Sequence, residues 1–238
     1  MKQDLKSVLA SFLRRFPQPF NRIPAEQKRS RTLRRLRERN TGKSSPKVFG
    51  IGLSKTGTTS LARALTILGY DAVSWTRGGK VLGWPEFYMV DAATDTPCCA
   101  HFESLYYTFE KSKFIYTVRD IDEWVQSAKS YFGLESPRGF HRHWNDEEYW
   151  DGDTWHSDWQ QENAFRTLRI HECLYTQHNT WEEAYRAYDE RVHHFFENKP
   201  EDRVMTMNIP SGDRWNKLCS FLECDHPEQP FPHANSSQ

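Results

Sequence analysis

The residues best suited to chemistry lie in the segment 47–68, KVFGIGLSKTGTTSLARALTIL. An apolar run leads into a glycine-bearing loop with one lysine and several hydroxyl groups, and an amphipathic stretch follows. A loop between a strand and a helix exposes the unpaired N–H groups of the first helical turn, and the helix dipole adds positive potential there. Both effects favour an anion, so the segment predicts a phosphate-binding loop.

The spacing within this loop departs from the pattern of a nucleoside triphosphate site, G-x-x-x-x-G-K-[ST]. Gly52 and Gly57 match the two glycines, but Thr58 occupies the lysine position. The lysine of the loop, Lys55, comes two residues before the second glycine instead. A single lysine at the apex suits one 5′-phosphate with a transferable group better than a chain of phosphates with Mg²⁺. The dinucleotide pattern G-x-G-x-x-G fails as well, because Lys55 replaces its third glycine.

Strand and helix patterns alternate along the chain. Short apolar runs predict strands, and apolar residues at intervals of three and four predict helices. Alternation of this kind predicts an α/β fold with three αβα layers, in which helices cover both faces of a central parallel sheet. The predicted strands are 48–53, 71–75, 91–95, 113–118 and 203–208, and the clearest predicted helices are 58–68, 101–111, 122–132, 180–195 and 213–222.

Capping residues predict where several of these helices begin. The first helix should be capped by Thr58 or Thr59, since a hydroxyl can accept a hydrogen bond from the first turn. Asp122 should cap the helix that follows the fourth strand. Thr180 with Glu183 three residues later predicts a capping box.

Charge divides the chain into two parts. Residues 1–43 carry thirteen Lys/Arg and three Asp/Glu, whereas the other 195 residues carry nineteen and twenty-nine. This distribution predicts a basic N-terminal extension at 1–46 and a folded domain at 47–238. The extension suits a short basic amphipathic helix in peripheral contact with a membrane surface. Within the domain, the segment 136–160 is rich in Trp and acidic residues and is interpreted as an insertion or lid.

Composition argues against several classes of protein. No apolar run approaches the roughly 18 residues of a membrane span, and the N-terminus has too short an apolar segment for a good secretory signal. Five cysteines without a C-x-x-C pattern indicate reduced thiols. The histidine pairs 141/143 and 193/194 lack partners at ligand spacing, so no metal site is predicted. No aromatic interleaving or known module supports nucleic-acid binding.

Two motifs resemble those of the sulfotransferase family. SKTGTTSL at 54–61 is similar to the loop that binds the 5′-phosphosulfate in that family. TVRDIDEWVQSAKSYF at 117–132 is similar to its 3′-phosphate motif, an arginine at a strand end and a serine eight residues on, here Arg119 and Ser127. The ending W-x-K-L-C-x-F-L … P-F-P-H-x-N resembles a bacterial and fungal branch, and the likeness covers most of 47–235. The resemblance implies a P-loop NTPase-like fold and makes 47–238 a catalytic domain.

The resemblance also implies the donor, 3′-phosphoadenosine 5′-phosphosulfate, from which a sulfuryl group is transferred. This donor has two phosphate-bearing ends, and the sequence offers two anion sites after parallel strands, where ligands bind in such sheets. Arg119 can fork onto the 3′-phosphate, while Lys55 is placed for the bridging oxygen whose charge grows in the transition state. No metal is required, since the sulfuryl group carries a single negative charge. The implied donor-binding residues are Ser54, Lys55, Thr56, Gly57, Thr58, Thr59, Ser60, Arg119 and Ser127.

A base that removes the proton of the acceptor hydroxyl or amine would assist the transfer. In cytosolic members of the family, a histidine in a T-H-x-P stretch lies about two dozen residues before the 3′-phosphate arginine. Here the stretch is T-D-T-P, and Asp95 lies twenty-four residues before Arg119. Carboxylates serve as the base in other branches, so the resemblance favours Asp95, although this residue could simply cap a turn. The alternatives for the base are Glu86, Asp91 and His101.

The acceptor is open between a small molecule and a glycan, because the aromatic segment 136–160 suits a sugar as well as a flat alcohol. The net acidic body favours a neutral acceptor over a polyanionic glycan. Golgi glycan sulfotransferases normally have an N-terminal span, so the lack of such a run predicts a cytoplasmic enzyme. Two other functions compete, a nucleotide or small-molecule kinase with a deviant phosphate loop and a non-catalytic protein on the same fold.

Overall fold

The computed structural model describes residues 46–140 and 158–234, and for 158–162 it describes the backbone alone. Within them the strands are β1 (Val48–Gly50), β2 (Ala72–Ser74), β3 (Thr76–Arg77), β4 (Lys80–Val81), β5 (Ala92–Thr94), β6 (Lys113–Thr117) and β7 (Val204–Met207). Five of them form a parallel sheet in the order β2-β5-β1-β6-β7, and β3 pairs with β4 in a separate antiparallel hairpin.

Helices connect these strands and cover the sheet. The described α-helices are α1 (Thr58–Ile67), α2 (Trp84–Met89), α3 (Thr96–Thr108), α4 (Ile121–Phe132), α5 (Asp158–His171), α6 (Trp181–Phe196) and α7 (Trp215–Leu222). A π-helical turn, Glu172–Thr176, continues directly from α5. Short 3₁₀ turns occur at Pro137–Gly139 and Glu201–Arg203.

Helices lie on both faces of the sheet, which confirms the predicted three-layer α/β architecture. Successive residues of a strand point to opposite faces. Phe49 and Phe114 are fully buried in the cluster formed with α3, α4 and α6. Their neighbours Val48 and Ile115 are fully buried in the opposite cluster, with α1 and α7. Burial on both faces explains why β1 and β6 are continuous apolar runs without polar alternation.

The strand order creates a switch point beside β1. β5 lies on one side of β1 and β6 on the other, and the chain leaves β1 and β6 toward helices on opposite faces of the sheet. In open α/β sheets, ligands bind in the crevice outside the carboxyl ends of the strands at such a point. The residues that follow these three strands include the phosphate loop, Asp95 and Arg119.

Two of the predicted helix caps are wrong by one or two residues. The N-cap of α1 is Gly57, with a φ of 99°, and neither Thr58 nor Thr59 caps it, since both lie inside the helix. The N-cap of α4 is Asp120, whose carboxylate accepts hydrogen bonds from two backbone N–H groups of the first turn. Asp122, the predicted cap, is one of the donors. Residue propensity alone does not fix the start of a helix to better than one or two positions.

Other element boundaries differ where a proline or a turn is involved. The capping box of Thr180 and Glu183 at the start of α6 is confirmed. The helix predicted at 101–111 begins earlier, at Thr96, because Pro97 lies in the first turn, where its missing N–H has no cost. Residues 76–85, for which no strand or helix was predicted, contain the β3–β4 hairpin and the start of α2.

Some predictions fall on the rest of the chain. The basic extension at 1–46 lies outside the described residues except for its last one, and so does the part of the predicted insertion between 141 and 157. The boundary at 46/47 and the membrane contact of the extension stay predictions. Among the helices of the described ranges, none combines the length and the apolar composition that a bilayer crossing requires.

Candidate active site

A cleft of about 940 Å³ opens at the carboxyl ends of β1, β5 and β6. It is open to solvent, and polar side chains from four segments distant in sequence face it. The sheet therefore brings together most of the residues that the two motifs pointed to. Those that line the cleft are Ser54, Lys55, Gly57, Thr58, Thr59, Ser60, Asp95, Arg119 and Ser127.

The phosphate loop is a tight turn between β1 and α1. The Thr56 backbone N–H donates to the Leu53 carbonyl over 3.2 Å, and its side-chain hydroxyl donates to the same oxygen over 2.7 Å. That hydroxyl also lies 2.7 Å from the Thr117 hydroxyl at the end of β6. Thr56 is only 1% exposed and does not line the cleft, unlike the other predicted loop residues. Its side chain shapes the loop and is not free to bind a donor.

Gly52 allows the loop to pass against β6, and this position carries a stability prediction. A Cβ on Gly52 would lie 1.8 Å from Thr117 Oγ1 and 2.4 Å from the Thr117 carbonyl oxygen. We expect Gly52→Ala to lower the free energy of unfolding by about 3 kcal/mol, because the backbone of a buried strand must move. Urea denaturation of the full chain measures the change.

Gly78→Ala is the matched control for this prediction. Unlike Gly52, Gly78 has a positive φ, 58°, and no atom lies within 4 Å of the Cβ it would gain. Only the left-handed backbone is penalised there, by about 1 kcal/mol. Equal losses for the two variants would contradict the close approach at Gly52.

Lys55 lies at the apex of the loop in a left-handed backbone conformation, with a φ of 75°. Its ammonium nitrogen lies 4.5 Å from the centroid of the Tyr131 ring, on the last turn of α4. Its carbonyl oxygen accepts a hydrogen bond from Arg119 Nη1 over 3.4 Å. The side chain of the loop lysine is therefore in the cleft, and its main chain is linked to the second predicted anion site.

Asp95 is the residue around which the hydroxyl groups of the cleft converge. Its Oδ1 accepts from Ser54 Oγ over 2.6 Å and from the Thr96 N–H over 2.8 Å. Its Oδ2 accepts from Thr58 Oγ1 over 3.1 Å and, more weakly, from Ser74 Oγ over 3.5 Å. The carboxylate caps α3, as the turn-capping interpretation predicted, and it also faces the cleft.

The backbone of Asp95 is strained. Its φ of 83° and ψ of −177° lie in a region that is almost confined to glycine. Strain of this kind costs about 1–3 kcal/mol and is found mainly at active sites and ligand-binding sites. This signal was absent from the sequence, and it marks Asp95 as more than a helix cap.

Arg119 is held at the end of β6 by its main chain and its side chain. Its N–H donates to the Tyr185 hydroxyl over 3.2 Å, and that hydroxyl donates to the Arg119 carbonyl over 2.8 Å. Burial raises the pKa of Tyr185, so this bridging hydroxyl stays protonated at neutral pH. The guanidinium is paired with Glu123 over 3.2 Å and is about a quarter exposed, which leaves it accessible from the cleft.

The start of α1 and the middle of α4 complete the two anion sites. Thr59 and Ser60 follow Thr58 in the first turn of α1, where the unpaired N–H groups face the cleft. Ser60 Oγ accepts a hydrogen bond from the Ala234 N–H over 3.0 Å, so the C-terminal segment reaches this turn. Ser127 lies two turns along α4 from Arg119 and faces the same cleft.

The alternative candidates for the base lie elsewhere. Asp91 precedes β5, so it lies at the opposite end of this strand from Asp95. Its carboxylate accepts a hydrogen bond from the Asp71 N–H. Glu86 caps α2 by accepting from the Gly83 N–H over 3.0 Å. His101 lies on α3 beside the Trp84 and Phe87 rings, and burial lowers its pKa. None of the three lines the cleft, within the residues described.

Several lining residues escaped the sequence reasoning. One group lies on α4 and comprises Glu123, Ser130 and Tyr131, at spacings of three and four from Ser127, together with the adjacent Gln126. Extending the helical period from Arg119 and Ser127 would have found most of it. A second group comes from the end of the chain, beyond β7, and comprises Ile209, Pro210, His233 and Ala234.

Metal-ligating side chains do not cluster in the part of the chain that the structure describes. No group of three or more His, Cys, Asp and Glu residues is placed there to hold an ion. His193 lies beside Asp189 on the exposed side of α6, outside the cleft. The cysteines at 98, 99 and 219 are buried as free thiols, and those at 173 and 224 are exposed.

A comparison with family models decides between the competing functions. The model described as Sulfotransferase domain matches residues 47–78 and 84–238. The chain belongs to the sulfotransferase family. The matched ranges contain the phosphate loop, Asp95, Arg119 and Ser127, and the gap between them, 79–83, contains β4 and ends where α2 begins. No curated protein matches this sulfotransferase.

Membership of the family gives the class of reaction. This sulfotransferase is a transferase that moves a sulfuryl group, and the fold predicted from the resemblance is the one found. The kinase alternative loses its support, because the sulfotransferase model matches most of the chain. The donor, the acceptor and the roles of single residues require a separate proposal.

Proposed function

We propose that the protein transfers a sulfuryl group from 3′-phosphoadenosine 5′-phosphosulfate to a hydroxyl or amine of a small molecule or glycan. One observation carries the proposal: Lys55, in a loop at a helix N-terminus, and Arg119 line the same cleft. The cleft therefore has two cationic positions for a donor with two anionic ends. Lys55 and Arg119 are further linked through the Lys55 carbonyl, so both positions belong to one site.

The loop binds the 5′-phosphosulfate end. Backbone N–H groups of the first turn of α1, with the Thr59 hydroxyl, are oriented toward the non-bridging oxygens of an anion in the cleft. Lys55 acts on the bridging oxygen, where negative charge develops as the bond to sulfur breaks. Because its contribution grows with that charge, Lys55 lowers the barrier more than it strengthens donor binding.

Arg119 and Ser127 bind the 3′-phosphate. A guanidinium forks onto phosphate oxygens through two parallel N–H bonds, and the serine hydroxyl on α4 adds a third hydrogen bond. In the structure, the Glu123 carboxylate forms an ion pair with the guanidinium, with Oε2 3.2 Å from Arg119 Nε. The 3′-phosphate therefore replaces a carboxylate on Arg119, which keeps the guanidinium oriented until the donor binds.

Asp95 serves as the base. Its carboxylate is at the rim of the same cleft, 9% exposed, and is held by hydroxyl donors from the loop and from β2. Ser54 and Thr58 thus connect the loop to the carboxylate, so the base and the sulfuryl position are fixed relative to each other. The acceptor proton passes to Asp95 as the new oxygen–sulfur or nitrogen–sulfur bond forms.

Binding of 3′-phosphoadenosine 5′-phosphate, the product without sulfur, tests the donor assignment. We expect isothermal titration calorimetry to detect binding to the full chain, and Arg119→Ala to weaken it about ten- to hundredfold, since charge-assisted hydrogen bonds to the 3′-phosphate are lost. Arg186→Ala is the matched control, because Arg186 is also paired with a carboxylate one helical turn away but lies outside the cleft. Unchanged affinity of the Arg119 variant would sink the two-site arrangement.

ATP with Mg²⁺ provides the comparison for the donor class. A ligand that binds the native state raises the melting temperature according to its affinity. We expect stabilisation by the phosphosulfate donor and by its desulfated product, and little by ATP with Mg²⁺. A screen of neutral alcohols, phenols, amines and sugars with ³⁵S-labelled donor then identifies the acceptor class.

A further inference from the structure

Tyr131 lines the cleft beside Lys55, and neither motif assigns it a role. Its ring lies on the last turn of α4, 63% exposed, and it lines the cleft. The Lys55 ammonium lies over this ring, 4.5 Å from the centroid. At that distance a cation is attracted by the negative face of the ring.

The kind of partner matters for a catalytic lysine. In the described part of the chain, no carboxylate oxygen is within 4.0 Å of the Lys55 ammonium. A carboxylate partner would neutralise the charge, and a donor would have to break an ion pair before the lysine could act. An aromatic face orients the ammonium and leaves its charge and its N–H groups available to an anion.

The loop and the ring are fixed to each other through α4. Trp124 is fully buried in α4, and its Nε1 donates to the Ser54 carbonyl over 2.8 Å, one residue before Lys55. Arg119, just before α4, donates to the Lys55 carbonyl. The backbone on both sides of the lysine side chain is therefore attached to the helix that supplies Tyr131.

The hydroxyl of Tyr131 is not needed for this contact. Burial and the nearby Asp95 carboxylate raise the pKa of Tyr131, so the ring remains neutral over the usual assay range. Phenylalanine keeps the aromatic face, whereas leucine removes it at a similar volume. The two substitutions therefore separate the ring from the hydroxyl.

From these contacts we infer that Tyr131 is a positioning residue for Lys55, whose ring holds the ammonium in the cleft in the orientation needed for the leaving oxygen. This inference rests on the proposed function, because it concerns the lysine that acts on the bridging oxygen. An unpositioned lysine still contributes charge to the cleft but samples many rotamers, so the loss falls on the rate of transfer and little on donor binding.

Single-turnover hydrolysis of the donor tests the inference without a known acceptor. Water replaces the acceptor: its oxygen bonds to sulfur, and the bond from sulfur to the bridging oxygen breaks. Sulfate and 3′-phosphoadenosine 5′-phosphate are released, and the two hydrogens of the water leave as protons, one of which the 5′-phosphate can take up. The full chain is mixed in excess with ³⁵S-labelled donor, and free sulfate is counted with time. Donor affinity is measured separately by competition with 3′-phosphoadenosine 5′-phosphate.

We expect Tyr131→Leu to slow sulfate release about three- to tenfold with donor affinity changed less than twofold, and Tyr131→Phe to retain the wild-type rate. Tyr107→Leu is the matched control, because Tyr107 is 66% exposed and also lies under a lysine, Lys199, at 5.5 Å, away from the cleft. Melting temperatures of the leucine variants check that both remain folded.

Three outcomes would overturn the positioning role. The first is a wild-type rate in Tyr131→Leu, and the second is an equal loss in Tyr131→Phe, which would assign the effect to the hydroxyl. The third is a loss confined to donor affinity. If the wild-type chain neither binds nor hydrolyses the donor, the proposed function fails instead, and that result is distinct from all three.

Discussion

Lys55→Ala is expected to lower the rate of sulfuryl transfer by about 10²–10³-fold while donor binding weakens far less. The lysine side chain faces the cleft at the apex of the loop. In the proposed mechanism, its charge meets the oxygen that becomes negative as sulfur departs. Removal of one preorganised group that stabilises developing charge has effects of this size in other enzymes. The backbone N–H groups of α1 remain, so the ground state is still bound.

The measurement is kcat with saturating labelled donor, set beside the affinity for 3′-phosphoadenosine 5′-phosphate. Lys199→Ala is the control, since that ammonium also lies over aromatic rings but outside the cleft, 5.1 Å from the Phe195 ring. A loss confined to affinity, with kcat unchanged, would mean that Lys55 only binds the donor. The role in the transition state would then be wrong.

Asp95→Asn is expected to lower kcat by about 10²–10³-fold with the acceptor that the screen identifies. Asparagine cannot take the proton of the acceptor, but its carbonyl oxygen still accepts hydrogen bonds and asparagine is a good helix N-cap. The start of α3 and the hydroxyl network should therefore be largely retained. A loss of rate without a comparable loss of stability is the result that identifies a base.

Asp91→Asn is the control for this substitution. Asp91 was an alternative base, and it lies at the other end of β5, where its carboxylate accepts from a backbone N–H. We expect its kcat to stay within twofold of wild type. Near wild-type turnover by Asp95→Asn at saturating donor would remove the base assignment and leave Asp95 as a helix cap alone.

Much of the fold could be predicted because strands buried on both faces have a strong signature. β6 was visible as KFIYTV, and β1 as the apolar run before the loop, since both faces of these strands contact helices. Helix starts were less certain. Thr58 carries the hydroxyl expected of a cap, yet this hydroxyl donates to the carboxylate of Asp95, which follows β5. Because the two residues are distant in sequence, no local pattern predicts this hydrogen bond.

The candidate site divides in the same way. Lys55 and Arg119 could be found because a loop motif and a strand end fix their positions locally. Ile209 and His233 could not, because their place in the cleft depends on how the segments after β7 pack against the sheet. The strain at Asp95 was equally invisible, since a sequence gives a residue type and not its dihedral angles.

The strained backbone of Asp95 has a consequence for the engineering of this chain. The junction between β5 and α3 has a backbone that glycine would adopt freely, yet it carries an aspartate. A conformation that costs about 1–3 kcal/mol is a sizeable part of a net stability that is about 5–15 kcal/mol in most domains. Selection for thermostability alone would therefore favour glycine at position 95. Glycine would relieve the strain, but it would also remove the carboxylate on which the proposed activity depends.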